Sequence, residues 1–256
     1  MKNTVYVITG TNKGIGLGLV KALFVRPSTT IVASVRNDEG VASLKSAIAG
    51  VAKGNDSEIY IMLLDFTKAP SPAEVLRAFN AATLGTIDRV DVLVSNAAAP
   101  FPMTPTLAIA GEDLRKAFEI NTIAPLMVFQ GLWPLMDKPR GVDDVSAKFI
   151  GITSSVGSIG SQEPLPGGAY GPSKAALNWL TKSLHAQHEN LVSVAVHPGW
   201  VQTYMGNYAA KEWNHEPGPP DTIASSANGI LDVIDGASRD TTSGKFITHT
   251  GEVVPW

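Results

Sequence analysis

VYVITGTNKGIGLGLVKALF, the stretch from Val5 to Phe24, reads as strand, glycine turn and helix. Val5 to Ile8 are apolar and mostly β-branched, the pattern of a strand buried on both faces of a parallel sheet. Gly10, Gly14 and Gly16 then break the run. Glycines permit a tight turn and let backbone N–H groups come close to a ligand. The helix that starts near Ile15 points its positive N-terminal end at the same spot. The turn, with Asn12 and Lys13 inside it, therefore suits an anion, and a diphosphate fits best. An ordinary glycine-rich turn is the alternative, since a glycine fingerprint alone is weak evidence. The surrounding chain decides between the two.

Outward from this unit, apolar runs predict further strands at Thr30–Val35, Ile59–Leu64, Val90–Val94, Lys148–Thr153 and Leu191–Val196, with a short closing strand at Gly244–Ile247. Between them lie helical stretches at about Val41–Ala49, Pro72–Thr83, Gly111–Leu135, Tyr170–Gln187 and Asp221–Ile234. Such alternation predicts an α/β fold, a doubly wound parallel sheet of Rossmann type in three αβα layers with right-handed crossovers. One domain over 1–256 is expected. The proline- and glycine-rich stretch Pro217–Pro220 is too short for a domain boundary.

Composition narrows the function. A chain of 256 residues can fill one domain with a sizeable core. Hydrophobic residues at 44% and charged residues at 17% exclude a disordered chain. A net charge of -3 gives no basic surface for a nucleic acid. With no cysteine there is no disulfide frame, thiolate metal site or cysteine nucleophile, and a reducing, cytoplasmic setting fits. The N-terminus enters a strand within a few residues, leaving no usual signal-peptide core, and no apolar run approaches the ~20 residues that span a bilayer. A soluble intracellular protein without a membrane partner is the expectation.

Strand ends carry the candidate site residues. In dinucleotide folds the residue about 20 positions past the glycines meets the adenosine ribose, an acid favouring NAD and an arginine accommodating the 2′-phosphate of NADP. Arg36 stands there, and Lys13 offers a second cation to the same phosphate. NADP is favoured; Asp38 holding the ribose is the alternative. Asp65, followed by Phe66, ends the third strand facing the ligand crevice, where its carboxylate can accept from an adenine amino group. Small residues at Asn96-Ala97-Ala98 let the backbone pass beneath a flat cofactor, though asparagine also forms simple turns. Asn121 lies inside a helix, where it has no propensity advantage and marks a local bond network or water site. Ser154 and Ser155 follow the fifth strand. Tyr170 and Lys174, four apart at a helix start, share one helical face.

In their order, these motifs resemble the short-chain dehydrogenases/reductases over nearly the whole chain. Thr9-Gly10-Thr11-Asn12-Lys13-Gly14-Ile15-Gly16 is similar to the family's TGxxxGxG turn, Asp65 to its adenine-contacting acid, and Asn96-Ala97-Ala98 to its NAG motif, with Ala98 replacing the last glycine. Asn121, the serine after strand five, Tyr170 and Lys174 resemble the catalytic tetrad. Pro198-Gly199 with Thr203, and Val201 between them, resemble the segment that holds the nicotinamide end. The stretch between the serines and Tyr170 is longer than in many members. Aligning Phe149–Thr153 as strand and Gly157-Ser158 as turn selects Ser154, with Ser155 as runner-up. Within the family the chain is similar to fungal ketoreductases of aromatic polyketides, such as norsolorinic acid reductase, and to sniffer-like carbonyl reductases. That likeness implies secondary metabolism.

The resemblance implies an NADPH-dependent ketoreductase in which the cofactor gives a hydride to the carbonyl carbon and Tyr170 gives a proton to its oxygen. A free phenol ionises near ~10, so its anion needs support. A unit charge ~4 Å away at an effective dielectric of ~20 is worth about 4 kcal/mol, so Lys174 is expected to bring the phenol near neutrality. Ser154 would bond the carbonyl oxygen and Asn121 would hold a water joining Lys174 to solvent. Relatives are usually dimers or tetramers built on the helices of Asn121 and Tyr170.

Trp200, Tyr204, Met205, Tyr208, Trp213 and His215 crowd the stretch from Trp200 to Pro220. Following the sixth strand, this segment (about 200–220) is expected to cover the crevice as a lid and to bind an apolar, aromatic or polycyclic ketone. Packing of the lid or a subunit contact is the alternative. His185 and His188 are three apart but lack an accompanying acid or third histidine, so they read as a solvated helix end and no metal is expected. No G-x-S-x-G elbow supports a hydrolase. Two other functions stay open: alcohol oxidation with NADP or NAD by the same residues, and a dinucleotide-binding regulatory protein without turnover.

Overall fold

Buried β-branched residues form the middle of a seven-stranded sheet in the computed structural model, which describes residues 3–138 and 146–256. Its strands are β1 (Thr4–Ile8), β2 (Thr29–Val35), β3 (Glu58–Leu63), β4 (Val92–Ser95), β5 (Ala147–Ile152), β6 (Leu191–His197) and β7 (Phe246–Thr248). All neighbours pair in parallel, in the order β3-β2-β1-β4-β5-β6-β7. Every residue of β2 and β5 is buried, as strands covered on both faces require.

The helices are α1 (Gly14–Phe24), α2 (Asp38–Ile48), α3 (Pro72–Thr83), α4 (Gly111–Phe118), α5 (Ala124–Met136), α6 (Tyr170–Gln187), α7 (Tyr204–Glu212) and α8 (Ile223–Gly236). On one face Leu19 and Leu23 of α1, Leu44 of α2 and Ile230 and Ile234 of α8 pack on Ile8, Ile31, Val94 and Val194. On the other, Val75 and Phe79 of α3, Val128 and Leu132 of α5 and Leu184 of α6 pack on Val7, Val32, Leu93 and Phe149. The period-two alternation of strand side chains sends Val7 and Ile8 to opposite cores. Fully burying each such side chain contributes ~1.5–3 kcal/mol. The result is the expected three-layer, doubly wound α/β fold.

Several boundaries depart from the apolar pattern. α2 starts before Val41 because Asn37 accepts the Gly40 N–H at 3.0 Å and Asp38 and Glu39 occupy the favourable first turn. α8 starts at Ile223, after Thr222 rather than at Asp221, because the Thr222 hydroxyl caps it. The expected long helix Gly111–Leu135 is two helices joined by a π-helical turn at Glu119–Ile123, with Asn121 inside it. The segment 200–220 contains a helix, α7, that the sequence pattern did not show; Thr203 caps it by accepting the Gly206 N–H at 3.1 Å. Among the described residues no helix is long and apolar enough to cross a membrane.

The strand order reverses between β1 and β4. At such a switch point the loops leaving the two strands part, and a crevice opens at their C-terminal ends.

Candidate active site

A cavity of about 850 Å³ fills that crevice. Its β1 side is the glycine turn, where Gly10 (φ 72°) and Gly14 (φ 58°) are left-handed, a conformation that side chains disfavour. Lys13 precedes α1 without capping it through its side chain. Gly10, Asn12, Lys13, Gly14 and Ile15 border the cavity, so the uncapped helix start meets it with its free N–H groups. This donor set fits a diphosphate. Gly16 does not border the cavity. A Cβ there would lie 2.2 Å from the Gly10 carbonyl oxygen and 2.6 Å from Asn96 Nδ2, so its part is to let α1 pack on the turn. Asn96 also braces the turn: its Nδ2 donates to the carbonyls of Thr9 (2.8 Å) and Gly10 (3.1 Å), and its N–H to Thr9 Oγ1 (3.0 Å). Asn96 and Ala97 both reach the cavity wall.

Beyond the turn, exposed Arg36 at the end of β2 borders the cavity together with Lys13, whereas Asp38 lies in the first turn of α2 and off the wall. Asp65 and Phe66 border the same end. Asp65 Oδ1 accepts from the Thr67 N–H (3.0 Å) and hydroxyl (2.7 Å). Partial burial pushes this carboxyl up, but the Thr67 bonds and the Lys68 and Arg36 cations outweigh it and hold the carboxyl below its usual range. Lys13 Nζ lies 5.4 Å from the Tyr204 ring centre.

Tyr170 and Lys174, 8% and 2% exposed, stand at the other end of the cavity. Lys174 Nζ is 5.6 Å from the Tyr170 ring centre and donates to the Ile152 carbonyl at 2.8 Å. Of the two serines, Ser154 is the one near enough to the phenol to lower its pKa, while its hydroxyl accepts the Val156 N–H at 3.3 Å. The expectation that Lys174 brings the phenol toward neutrality is corrected here. Burial pushes Tyr170 up, only partly offset by nearby Ser154, and pulls Lys174 down to about 7. Desolvation dominates at both groups, and the lysine Nζ donates to a strand carbonyl.

Asn121 is fully buried behind this pair and off the cavity wall. Its amide is bonded to Ala99 (Oδ1 accepting at 2.9 Å, Nδ2 donating at 3.2 Å) and to Ser173 Oγ at 3.1 Å. Ser173 in turn donates to the Tyr170 carbonyl at 2.7 Å. The asparagine thus fastens the π-turn to α6.

Pro198, Gly199, Val201 and Thr203 line the cavity after β6, as do Trp200, Tyr204, Met205 and Trp213. The Trp200 and Trp213 rings meet edge to face, 5.7 Å between centres, and Trp213 Nε1 donates to the Pro166 carbonyl at 3.1 Å. Tyr208 differs from expectation: it is off the cavity wall, packed with Met103 and Ala209. His185, in the last turn of α6, and His188, just past its end, have different side-chain partners. His185 Nδ1 bonds Ser243 Oγ at 2.8 Å, and the His188 ring packs on Trp133 at 4.3 Å.

Residues 4–214 match the family model for short chain dehydrogenases. The chain belongs to the short chain dehydrogenase family. Norsolorinic acid ketoreductase of Aspergillus parasiticus is 34% identical over 262 residues, covering 100% of this chain and 92% of that protein. Carbonyl reductase Sniffer of D. melanogaster superposes with a TM-score of 0.80 at 26% identity, and the NADPH-bound carbonyl reductase from chicken fatty liver with 0.79 at 28%; each comparison covers 100% of both chains. The protein is therefore an oxidoreductase enzyme of this family.

In this short chain dehydrogenase His197 is among the wall residues not marked out by the sequence motifs. His197, at the end of β6, borders the cavity, and its Nδ1 accepts the Ser155 N–H at 3.1 Å. Its only sequence signal is a histidine ending a strand just before Pro198-Gly199.

Proposed function

We propose that the enzyme is an NADPH-dependent ketoreductase acting on an apolar, aromatic or polyketide-type ketone. The observation that carries this is the buried Tyr170 phenol beside Lys174 and near Ser154, in one cavity with an uncapped helix start and two cations. The names of the relatives, a ketoreductase and an NADPH-bound carbonyl reductase, support it.

Arg36 and Lys13 hold the 2′-phosphate, the first N–H groups of α1 the diphosphate, and Asp65 the adenine amino group. Pro198, Gly199, Val201 and Thr203 seat the nicotinamide end. When bound, the cofactor supplies the hydride. Burial keeps the Tyr170 proton in place at neutral pH, ready for the carbonyl oxygen. Ser154 shares the charge that develops there, and Lys174 as ammonium steadies the phenolate left behind. Asn121 keeps the π-turn against α6 and so fixes the wall behind the lysine. Residues 200–220 act as a lid, with Trp200, Met205 and Trp213 as the apolar wall for the ketone. A cysteine-free chain of this kind works in the reducing cytoplasm.

The test is a panel of 1-tetralone, 9-fluorenone, isatin and menadione with NADPH against NADH, following loss of reduced-cofactor absorbance. At least one ketone is expected to turn over with kcat/KM about tenfold or more in favour of NADPH, a preference of roughly 1.4 kcal/mol. Tyr170→Phe is expected to lower turnover about 10²-fold or more with NADPH binding intact. Full turnover by that variant removes Tyr170 from the chemistry, and a preference for NADH overturns the cofactor assignment.

A further inference from the structure

His197 closes β6 directly beneath the turn that carries Ser154 and Ser155. Its carbonyl accepts the His249 N–H at 2.8 Å and it pairs with Thr248 in β7, so its backbone is held by the sheet. The Ser155 N–H opens a one-turn 3-10 helix, Ser155–Gly157, and like any first N–H of a helical turn it has no partner within that turn. The Ser154 hydroxyl already accepts from Val156 N at 3.3 Å. His197 Nδ1 takes the Ser155 N–H instead, at 3.1 Å.

A ring nitrogen that accepts from an amide carries no proton, so the neutral imidazole bears its hydrogen on Nε2. Burial, helped by nearby His249 and opposed by Asp221, holds the ring's pKa down to about 4. The acceptor form therefore persists across neutral pH. Because the peptide is planar, an anchored Ser155 N–H also fixes the carbonyl of Ser154, and with it the extended backbone (φ -162°, ψ 150°) from which the Ser154 side chain projects.

We infer that His197 is a positioning residue: by anchoring the Ser154–Ser155 peptide it aims the Ser154 hydroxyl at the Tyr170 phenol and at the oxygen being reduced. This rests on the part proposed above for Ser154. His197 itself transfers no proton.

A double-mutant cycle on the fastest ketone of the panel tests it, with melting temperature and NADPH affinity measured for each variant. Ser154→Ala is expected to lower kcat about 10²-fold, the usual loss for one donor to a developing oxyanion. His197→Leu is expected to lower kcat about tenfold, with KM for NADPH within about twofold; in the Ser154→Ala background it should cost less than about twofold, because coupled residues are not additive. His197→Asn, whose amide oxygen takes the place of Nδ1, should recover most of the rate. His197→Gln, which places its amide further out, should stay as slow as the leucine variant. An equal loss in both backgrounds, or an asparagine variant no faster than leucine, overturns the inference. If Ser154→Ala is slow while His197→Leu runs at full speed, only the inference falls. If Ser154→Ala itself runs at full speed, the proposed part of the serine falls with it.

Discussion

At Tyr170 and Lys174 burial acts with opposite signs, keeping the phenol protonated and driving the ammonium toward its neutral form. The lysine ionises at about 7 in the folded chain and near ~10.4 when unfolded. Between these values the unfolded chain binds more protons, so this group makes stability rise with pH from about 7 upward. Below 7 both states are charged and its contribution is flat at its least favourable level. Urea unfolding at pH 6, 7, 8 and 9 should show the wild-type midpoint gaining on that of Lys174→Met above pH 7; parallel curves would show that the lysine is not depressed. The spacing of the pair was readable in the sequence, since residues four apart on a helix share a face. The direction of the shifts was not, because the carbonyl that binds the ammonium belongs to Ile152 on another element and burial depends on everything packed around it.

Among elements, the join of β1, turn and α1 was the most legible, because glycines and β-branched residues act locally on the backbone. Even here one part changed. Gly16 serves packing rather than a ligand, since its missing Cβ is occupied by the Gly10 carbonyl and Asn96. Gly16→Ala is expected to lower stability by about 1–3 kcal/mol, the usual cost of overpacking. This would be read as a lower urea midpoint with unchanged m-value, and a midpoint at the wild-type value would contradict it. The π-turn of Glu119–Ile123 was hidden for a different reason: the apolar residues on both sides keep helical spacing, and one extra residue per turn leaves no compositional mark. Its trace was Asn121, a poor helix former inside a helix. α7 was missed because the sequence reading there followed its aromatics rather than the capping residue Thr203.

For the whole molecule, the order β3-β2-β1-β4-β5-β6-β7 brings the glycine turn, Asn96, Ser154, Tyr170 and the lid to one 850 Å³ cavity. Trp200, Met205 and Trp213 line this cavity, while Tyr204 lies against Lys13 at the glycine turn. Trp213→Ala should raise KM about tenfold for a three-ring ketone such as 9-fluorenone, a loss in the 1–3 kcal/mol range of pocket contacts, and change it little for acetone. Steady-state kinetics on the two ketones checks this, and unchanged KM for both would assign the tryptophan to lid packing alone. By itself the sequence determined the strand–helix alternation, the glycine turn before α1, and Tyr170 and Lys174 as a pair, because each follows from backbone geometry over a few neighbouring residues. Only the tertiary structure decided that Gly16, Asn121 and Tyr208 stand off the cavity wall, and that His197 holds the serine turn. Those outcomes depend on contacts between segments far apart in the chain, and on how much water their packing excludes.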